Sequence, residues 1–316
     1  MTQPAGTFAF NDAVGVREDL SDTIYNIAPV ETPFVNMIPH TKATNVLHEW
    51  QTDTLAAAAN NAVIEGDDVT VAASTPTVRL GNYTQLSHKH ARVSSRMRAV
   101  NTAGRGDELI YQMEVKRARE LRRDVETALL ANKIKVNAAS DSTASELAGV
   151  EAWIASNDDF GATGSSPSPV DGTDARNDGT QRLFTEDLLK NVLQLCYTSG
   201  GMPDTIMVGG FNRQVVSSFS IGKTVVQKAE DPTLHATFSV YEGDFGSLKI
   251  VPNRFMRQRS ALVLQTDMWG FATLQDFHSF DLAKTGHADA RVVAVEYTLE
   301  ARNEAASGGV FDLTTS

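Results

Sequence analysis

The chain has 316 residues, of which 41 % are hydrophobic and 21 % charged, and its formal net charge is −11. That length allows a sizeable core in one large domain or two coupled ones, while the acidic balance argues against a protein built to grip nucleic acid, which needs a basic stripe to neutralise phosphate. Three further classes are excluded: no apolar run approaches the roughly 20 residues that span a bilayer, Met1–Phe10 lacks the features of an export signal, and the single cysteine, Cys196, allows neither a disulfide framework nor a multi-thiolate zinc site.

Residues 1–40 read as an extended, adherent arm. Leu20, Ile24 and Ile27 have helical spacing, and that helix must stop before Pro29 and Pro33. Phe34, Val35, Met37 and Ile38 follow on a piece too short to build its own core, so they need another surface, in the same subunit or a neighbour. Residues 45–95 read as two β-arms, Val46 to Thr54 and about Val69 to Ser94, around a tip with Ala56–Ala59 and a Gly66-Asp67-Asp68 turn signal. Neither face of the first arm is apolar enough for a core, which predicts a hairpin wet on both sides. An isolated ribbon of that kind is marginal in water, so it is expected to dock on another molecule.

The clearest periodicity lies in residues 105–135, where Ile110, Met113, Ala118, Leu121, Val125, Ala128 and Leu129 mark one face of a helix. Asp107 and Glu108 suit its N-terminal end, and Lys133 and Lys135 its C-terminal end. At 1.5 Å per residue this predicts a rod of roughly 45 Å, a spine for an elongated subunit. Residues 140–182, above all Gly161 to Gly179, have hardly any apolar side chains and are expected to form a surface loop. An α/β pattern follows. It predicts a helix Glu186–Tyr197 capped by Thr185, with Leu188, Leu189, Val192, Leu195 and Cys196 inward, then a buried strand Thr205–Val208 and a helix Phe211–Phe219. Strands are expected at Phe238–Tyr241, Leu248–Val251, Ala261–Gln265, Trp269–Leu274 and Arg291–Glu300. In the last, Val293, Val295, Tyr297 and Leu299 alternate with the other face, the period of a strand with one buried side.

Strings that look catalytic fail on their spacing. Ser220–Thr224 ends like a phosphate loop, but the required first glycine is Ser217. Val208-Gly-Gly lacks the glycine spacing of a dinucleotide site and reads as a tight turn. His48-Glu49 has Thr52 where a second histidine ligand would stand, and His88 and His90 share a strand face without a third ligand nearby. The acidic run Asp174–Gly179 has Arg176 where a calcium loop needs an oxygen and Thr185 where it needs glutamate, so a solvated loop is expected. Cys196 sits among Val192, Leu193 and Leu195 and reads as a small core hydrophobe. No catalytic, cofactor or metal residues are therefore assigned.

The order arm, long two-stranded loop, long helix, α/β domain and returning strand resembles the major head protein of tailed phages, the Hong Kong-97-type capsid fold, an α+β architecture. The likeness rests on Glu31-Thr-Pro-Phe-Val-Asn-Met-Ile-Pro39 running into Val46-Leu-His-Glu-Trp-Gln-Thr52, on Asp267-Met-Trp269 with Asp281-Leu-Ala-Lys-Thr-Gly286, and on Val295-Glu-Tyr-Thr-Leu-Glu-Ala-Arg-Asn-Glu304. The resemblance implies an N-terminal arm at 1–40 and an extended loop at 41–97. It places a peripheral domain at 98–140 and about 261–316, including the spine helix 105–135, and an axial domain at about 141–260. It further implies hexamers and pentamers of this chain tiling an icosahedral shell around double-stranded DNA, without sequence-specific binding and without a membrane. Scaffold, portal and decoration proteins are the implied partners. The location is the virion, after assembly in the host bacterial cytoplasm. No charge-rich helical segment of the kind some family members cleave precedes the arm, a departure that puts proteolytic maturation in doubt, and no cross-link is assigned to Lys42 or Lys89. Phe34 and Trp50 are the expected assembly anchors, because buried aromatics dominate interface energetics; the alternative for Trp50 is packing on its own subunit. The competing readings are an encapsulin-like compartment shell, a minor head or tail protein, and a soluble α/β enzyme using Val208–Phe219.

Overall fold

The computed structural model describes residues 31–68, 76–100, 102, 106–219 and 240–315. The readings made for the helix within residues 1–30, for residues 69–75, for Ser220–Thr224 and for Phe238 and Ser239 lie outside them. The chain begins with a short helix α1 (Pro33–Met37) and strands β1 (His40–Lys42), β2 (Leu47–Thr52), β3 (Val78–Tyr83) and β4 (Gln85–Ser94). A short helix α2 (Ser95–Ala99) precedes one continuous long helix, made of α3 (Glu108–Ile110), a π-helical stretch Tyr111–Arg117 and α4 (Ala118–Leu129). Then come β5 (Asp158–Asp159), α5 (Glu186–Thr198), β6 (Thr205–Val208) and α6 (Gly210–Ser218). The last strands are β7 (Val240–Gly243), β8 (Gly246–Pro252), β9 (Ala261–Leu264), β10 (Trp269–Asp281), β11 (Ala288–Ala301) and β12 (Gly308–Val310).

Three sheets organise these strands. One has the order β1-β10-β11-β4, the second β5-β12-β9-β6-β8-β7, and the third is the ribbon β2-β3. The predicted second β-arm therefore changes partners in the middle. Up to Tyr83 it pairs with β2, and from Gln85 it pairs antiparallel with β11. Thr84 is the crossing point: its N–H donates to the Val46 carbonyl (2.8 Å) and its hydroxyl to Glu296 (2.8 Å). β9 and β12 join the six-stranded sheet, so the expected division near residue 260 cuts through strands of one sheet. Sequence distance cannot reveal that Ala261–Leu264 pairs antiparallel with Thr205–Val208.

The long helix is shorter than its periodicity predicted, residues 108–129 or about 33 Å at 1.5 Å per residue. The π-helical stretch changes its face. Two α-turns take about seven residues, whereas the buried Met113 and Leu121 are eight apart. The widened turn, in which the Ala118 N–H donates to the Met113 carbonyl, absorbs the extra residue. Upstream of it Leu109 is buried and Ile110 exposed, the reverse of the expectation. The helix stops at Leu130 because the following residues have other partners. Gly149 approaches so closely that a Cβ there would lie 2.0 Å from the Ala131 carbonyl oxygen. Lys135, expected at the last turn, instead bonds the carbonyls of Gly81 (2.8 Å) and Asp171 (2.6 Å).

In α5 the Thr185 hydroxyl accepts from the Leu188 N–H, the predicted cap, while Leu193 takes the buried place expected of Leu195. One core joins the long helix to the sheet of β10 and β11 through Met113, Leu121, Val125, Phe271, Val293, Val295 and Tyr297. A second lies between α5, α6 and the six-stranded sheet, around Leu189, Val192, Ile206, Val208, Val216 and Val263. Along β11 the predicted alternation holds for Val293, Val295, Tyr297 and Leu299, but Val292 and Ala294 on the opposite face are also covered.

Candidate assembly surfaces

Phe34 and Trp50 both lie inside their own subunit, fully buried for Phe34 and 8 % exposed for Trp50. Trp50 thus takes the alternative place given for it, against its own subunit, and Phe34 lies in the same core. The Trp50 ring packs 5.5 Å from that of Trp153, centroid to centroid. The first arm is thus not wet on both sides near its base. Asn82, opposite His48 in the ribbon, fixes that base: its amide donates to the carbonyls of Ala148 (3.1 Å) and Leu299 (3.0 Å) and accepts from the Ala148 N–H (2.9 Å).

Phe34 is held by the long helix. The buried Glu126 carboxylate accepts from the N–H groups of Phe34 (2.8 Å) and Val35 (3.1 Å) and from the Asn253 amide (2.7 Å). It serves the free N–H groups that start α1, whose own cap residue Thr32 makes no side-chain bond. Burial pushes the Glu126 pKa up from 4.5, against the pull of the Phe34 and Val35 N–H groups and Asn253. No spacing rule links Glu126 to Phe34, 92 residues away.

Among the described residues, one exposed surface is the tip of the extended loop. Leu55, Val63 and Ile64 are 98 %, 82 % and 81 % exposed. Among the described residues, 53–68 hydrogen-bond only to one another, through Thr54 to Asp53, Ala62 to Asn60 and Asp67 to Ile64. A second free surface is the face of the β4–β11–β10 sheet that points away from the long helix. There Leu86, His88 and His90 on β4 stand across from Glu296, Ala294 and Val292 on β11, which face Gln275, His278 and Phe280 on β10. The pairing of His88 with His90 on one strand face is as expected, with ring centroids 6.4 Å apart. No group of three possible metal ligands occurs among the described residues.

The acidic run Asp174–Gly179 is not the solvated loop expected. Arg176 is buried, bonds Asp158 (2.7 Å) and the Ile154 carbonyl (2.6 Å), and lies 3.5 Å over the Phe311 ring. Asp312 accepts from the N–H groups of Gly161 (3.0 Å) and Gly179 (2.8 Å) and from Arg259 (2.7 Å). Arg257 spans Glu151 (2.6 Å) and Asp178 (2.6 Å). Burial raises the Glu151 pKa, with Arg257 opposing. The Val208-Gly-Gly turn opens α6, with Gly209 as its cap beside the Gln258 side chain. Burial pushes the Cys196 thiol up to about 12, so it is a core residue with little thiolate.

The chain is similar to known proteins over nearly its whole length. The model of the family described as SU10 major capsid protein matches residues 3–314. A curated relative, the major capsid protein of Escherichia phage Phieco32, is 27 % identical over 341 residues and covers 96 % of each chain. Among solved structures, the capsid of a native GTA particle superposes with a TM-score of 0.65 at 10 % identity, covering 96 % of this chain and 98 % of the other. The capsid asymmetric unit of cyanophage A-1(L) gives 0.64 at 11 % identity, covering 95 % and 98 %.

Proposed function

The chain belongs to the SU10 major capsid protein family, with the Hong Kong-97-type α+β capsid fold, and from that premise we propose that its copies form hexamers and pentamers tiling an icosahedral head around double-stranded DNA. It is a structural protein of a phage virion. The match across residues 3–314 carries the reading. The exposed apolar loop tip supports it, since such surface calls for a cover.

In this reading residues 1–40 are the arm and 41–97 the extended loop. The long helix with β10 and β11 is the peripheral domain, and the loop joins its sheet through β4. The six-stranded sheet with α5 and α6 is the axial domain, and it takes β9 and β12 from the stretch that sequence alone assigns to the peripheral part. Phe34 and Trp50 hold arm and loop to their own subunit, leaving the tip to reach outward. DNA is enclosed without sequence-specific contact, catalysis has no part, and scaffold, portal and decoration proteins are the further partners. Assembly takes place in the host bacterial cytoplasm.

Negative-stain electron microscopy of the chain expressed in bacteria, alone and with a scaffold, tests this. Closed shells or hexameric capsomers are expected. A dispersed monomer or dimer in both conditions overturns the reading, and particles that hold an enzyme in place of DNA assign the shell to a storage compartment.

A further inference from the structure

The long helix gathers basic charge on the stretch Lys116–Arg123, which reads Lys-Arg-Ala-Arg-Glu-Leu-Arg-Arg. The carboxylates of α4 are all engaged elsewhere. Glu120 holds Arg117 (2.8 Å), Asp124 holds Lys89 on β4 (2.7 Å), and Glu126 is buried against the arm. That leaves Lys116, Arg119, Arg122 and Arg123, none of which makes an ion pair among the described residues. Lys116, Arg119 and Arg123 follow one another at three and four residues, the spacing of one helix face. They lie on the side turned away from Met113, Leu121 and Val125, which pack on the sheet. Aromatic rings steady three of the four. Lys116 lies 5.5 Å from the Tyr111 ring centroid, Arg122 5.9 Å from that of Phe277 and Arg123 5.5 Å from that of Phe255.

We propose that this row meets the sugar–phosphate backbone of double-stranded DNA on the inner side of the shell. Three arginines and a lysine without acids of their own suit phosphate, which the planar guanidinium matches with paired donors. A protein partner is the poorer fit. No large apolar side chain is exposed between residues 111 and 129, so the face lacks the apolar anchor that a protein interface is built on. A polyanion needs only charge. The row is about 10 Å long at 1.5 Å per residue, and B-DNA presents about six phosphate charges over that length. The chain's net charge of −11 keeps the contact local and weak, so DNA is touched without being gripped. The row stands on the helix side of the sheet, opposite the free face of β4, β11 and β10. The inference rests on the capsid reading and names the surface that meets the genome.

A fluorescent duplex of about 20 base pairs and mixed sequence, titrated with the unassembled full-length chain between about 50 and 200 mM salt, tests the chemistry. Each phosphate contact contributes roughly 0.9 to the slope of log K against log salt, so a wild-type slope of about −3 to −4 is expected. Lys116→Gln with Arg119→Gln should take away about 2 of that slope and weaken binding roughly tenfold at about 50 mM salt. No binding by the wild-type chain, or a slope no steeper than the variant's, overturns the proposal. A second readout uses the unaltered protein and so does not depend on the variant folding: acetylation of Lys116 by acetic anhydride, read by mass spectrometry in DNA-filled heads and in heads emptied of DNA. Labelling several-fold slower in filled heads is expected. Equal labelling overturns the proposal, and so does equal protection in shells that hold scaffold and no DNA, which gives the row to an acidic protein. Shells that form normally while either readout fails leave the capsid reading intact; a wild-type chain that forms no shell under any condition fails that reading instead.

Discussion

Residues 53–68 and residues 161–179 are both poor in bulky side chains, yet the structure treats them in opposite ways. The first stretch bonds only to itself among the described residues and leaves its few large apolar groups in solvent. The second is pinned from several directions by charged groups that come from elsewhere in the chain. Composition reports local preference. It does not report a distant carboxylate aimed at a backbone N–H, and that is what separates a loop left to itself from a loop tied to its own subunit.

The sharpest way to break this contrast is to remove the pin. Arg176→Ala leaves Asp158 without its buried partner and opens space over Phe311; it should cost roughly 3–5 kcal/mol in urea unfolding of the subunit. A loss under about 1 kcal/mol would mean that 161–179 is as free as 53–68.

The arm extends the contrast, because Glu126 holds it in the same manner. Glu126→Leu strands three donors and should cost roughly 3 kcal/mol by the same measurement. The pH dependence has a definite sign. A carboxyl whose folded pKa lies above its unfolded value contributes stability that is fully present below the unfolded value and is lost as pH rises through the folded one. Burial raises the Glu126 value from 4.5, so its contribution should fade as pH climbs above 4.5. Glu126→Gln should flatten that part of the stability–pH curve, and an unchanged slope would assign it to other groups.

Smaller changes refine the picture. Asn132 clamps the Arg176 backbone on both sides, accepting from its N–H (3.0 Å) and donating to its carbonyl (2.7 Å). Asn132→Ala should cost about 1–2 kcal/mol and speed protease cutting within 161–179. Ala58→Gly should leave subunit stability within about 0.5 kcal/mol, and in unassembled protein protease should cut 53–68 first.

What the residues revealed by themselves follows the same division. The α5 helix with its Thr185 cap, the β6 strand and the inner face of β11 were all legible, because each is set by periodicity or by a local side-chain bond. The partner change at Thr84 and the end of the long helix at Leu129 were not, and for Trp50 a neighbour and its own subunit both stood open. Each depends on a group far along the chain: Glu296 for Thr84, Gly149 for the helix end, Trp153 for Trp50. Of the candidate surfaces, the exposed tip and the facing histidines were visible in the pattern. The full sheet face was not, because only pairing β10 and β4 on either side of β11 brings its residues together.

The parallel pairing of β1 with β10 has a consequence in time. His40–Lys42 can take its place only beside Phe271–Thr273, and the Thr41 hydroxyl reaches Glu300, 259 residues further on. At roughly 5–20 residues per second of synthesis, that partner emerges about 10–50 s later. An early-made segment is among the last to dock, so a nascent chain cannot complete its sheet, or present a finished subunit to its neighbours, until most of it has left the ribosome.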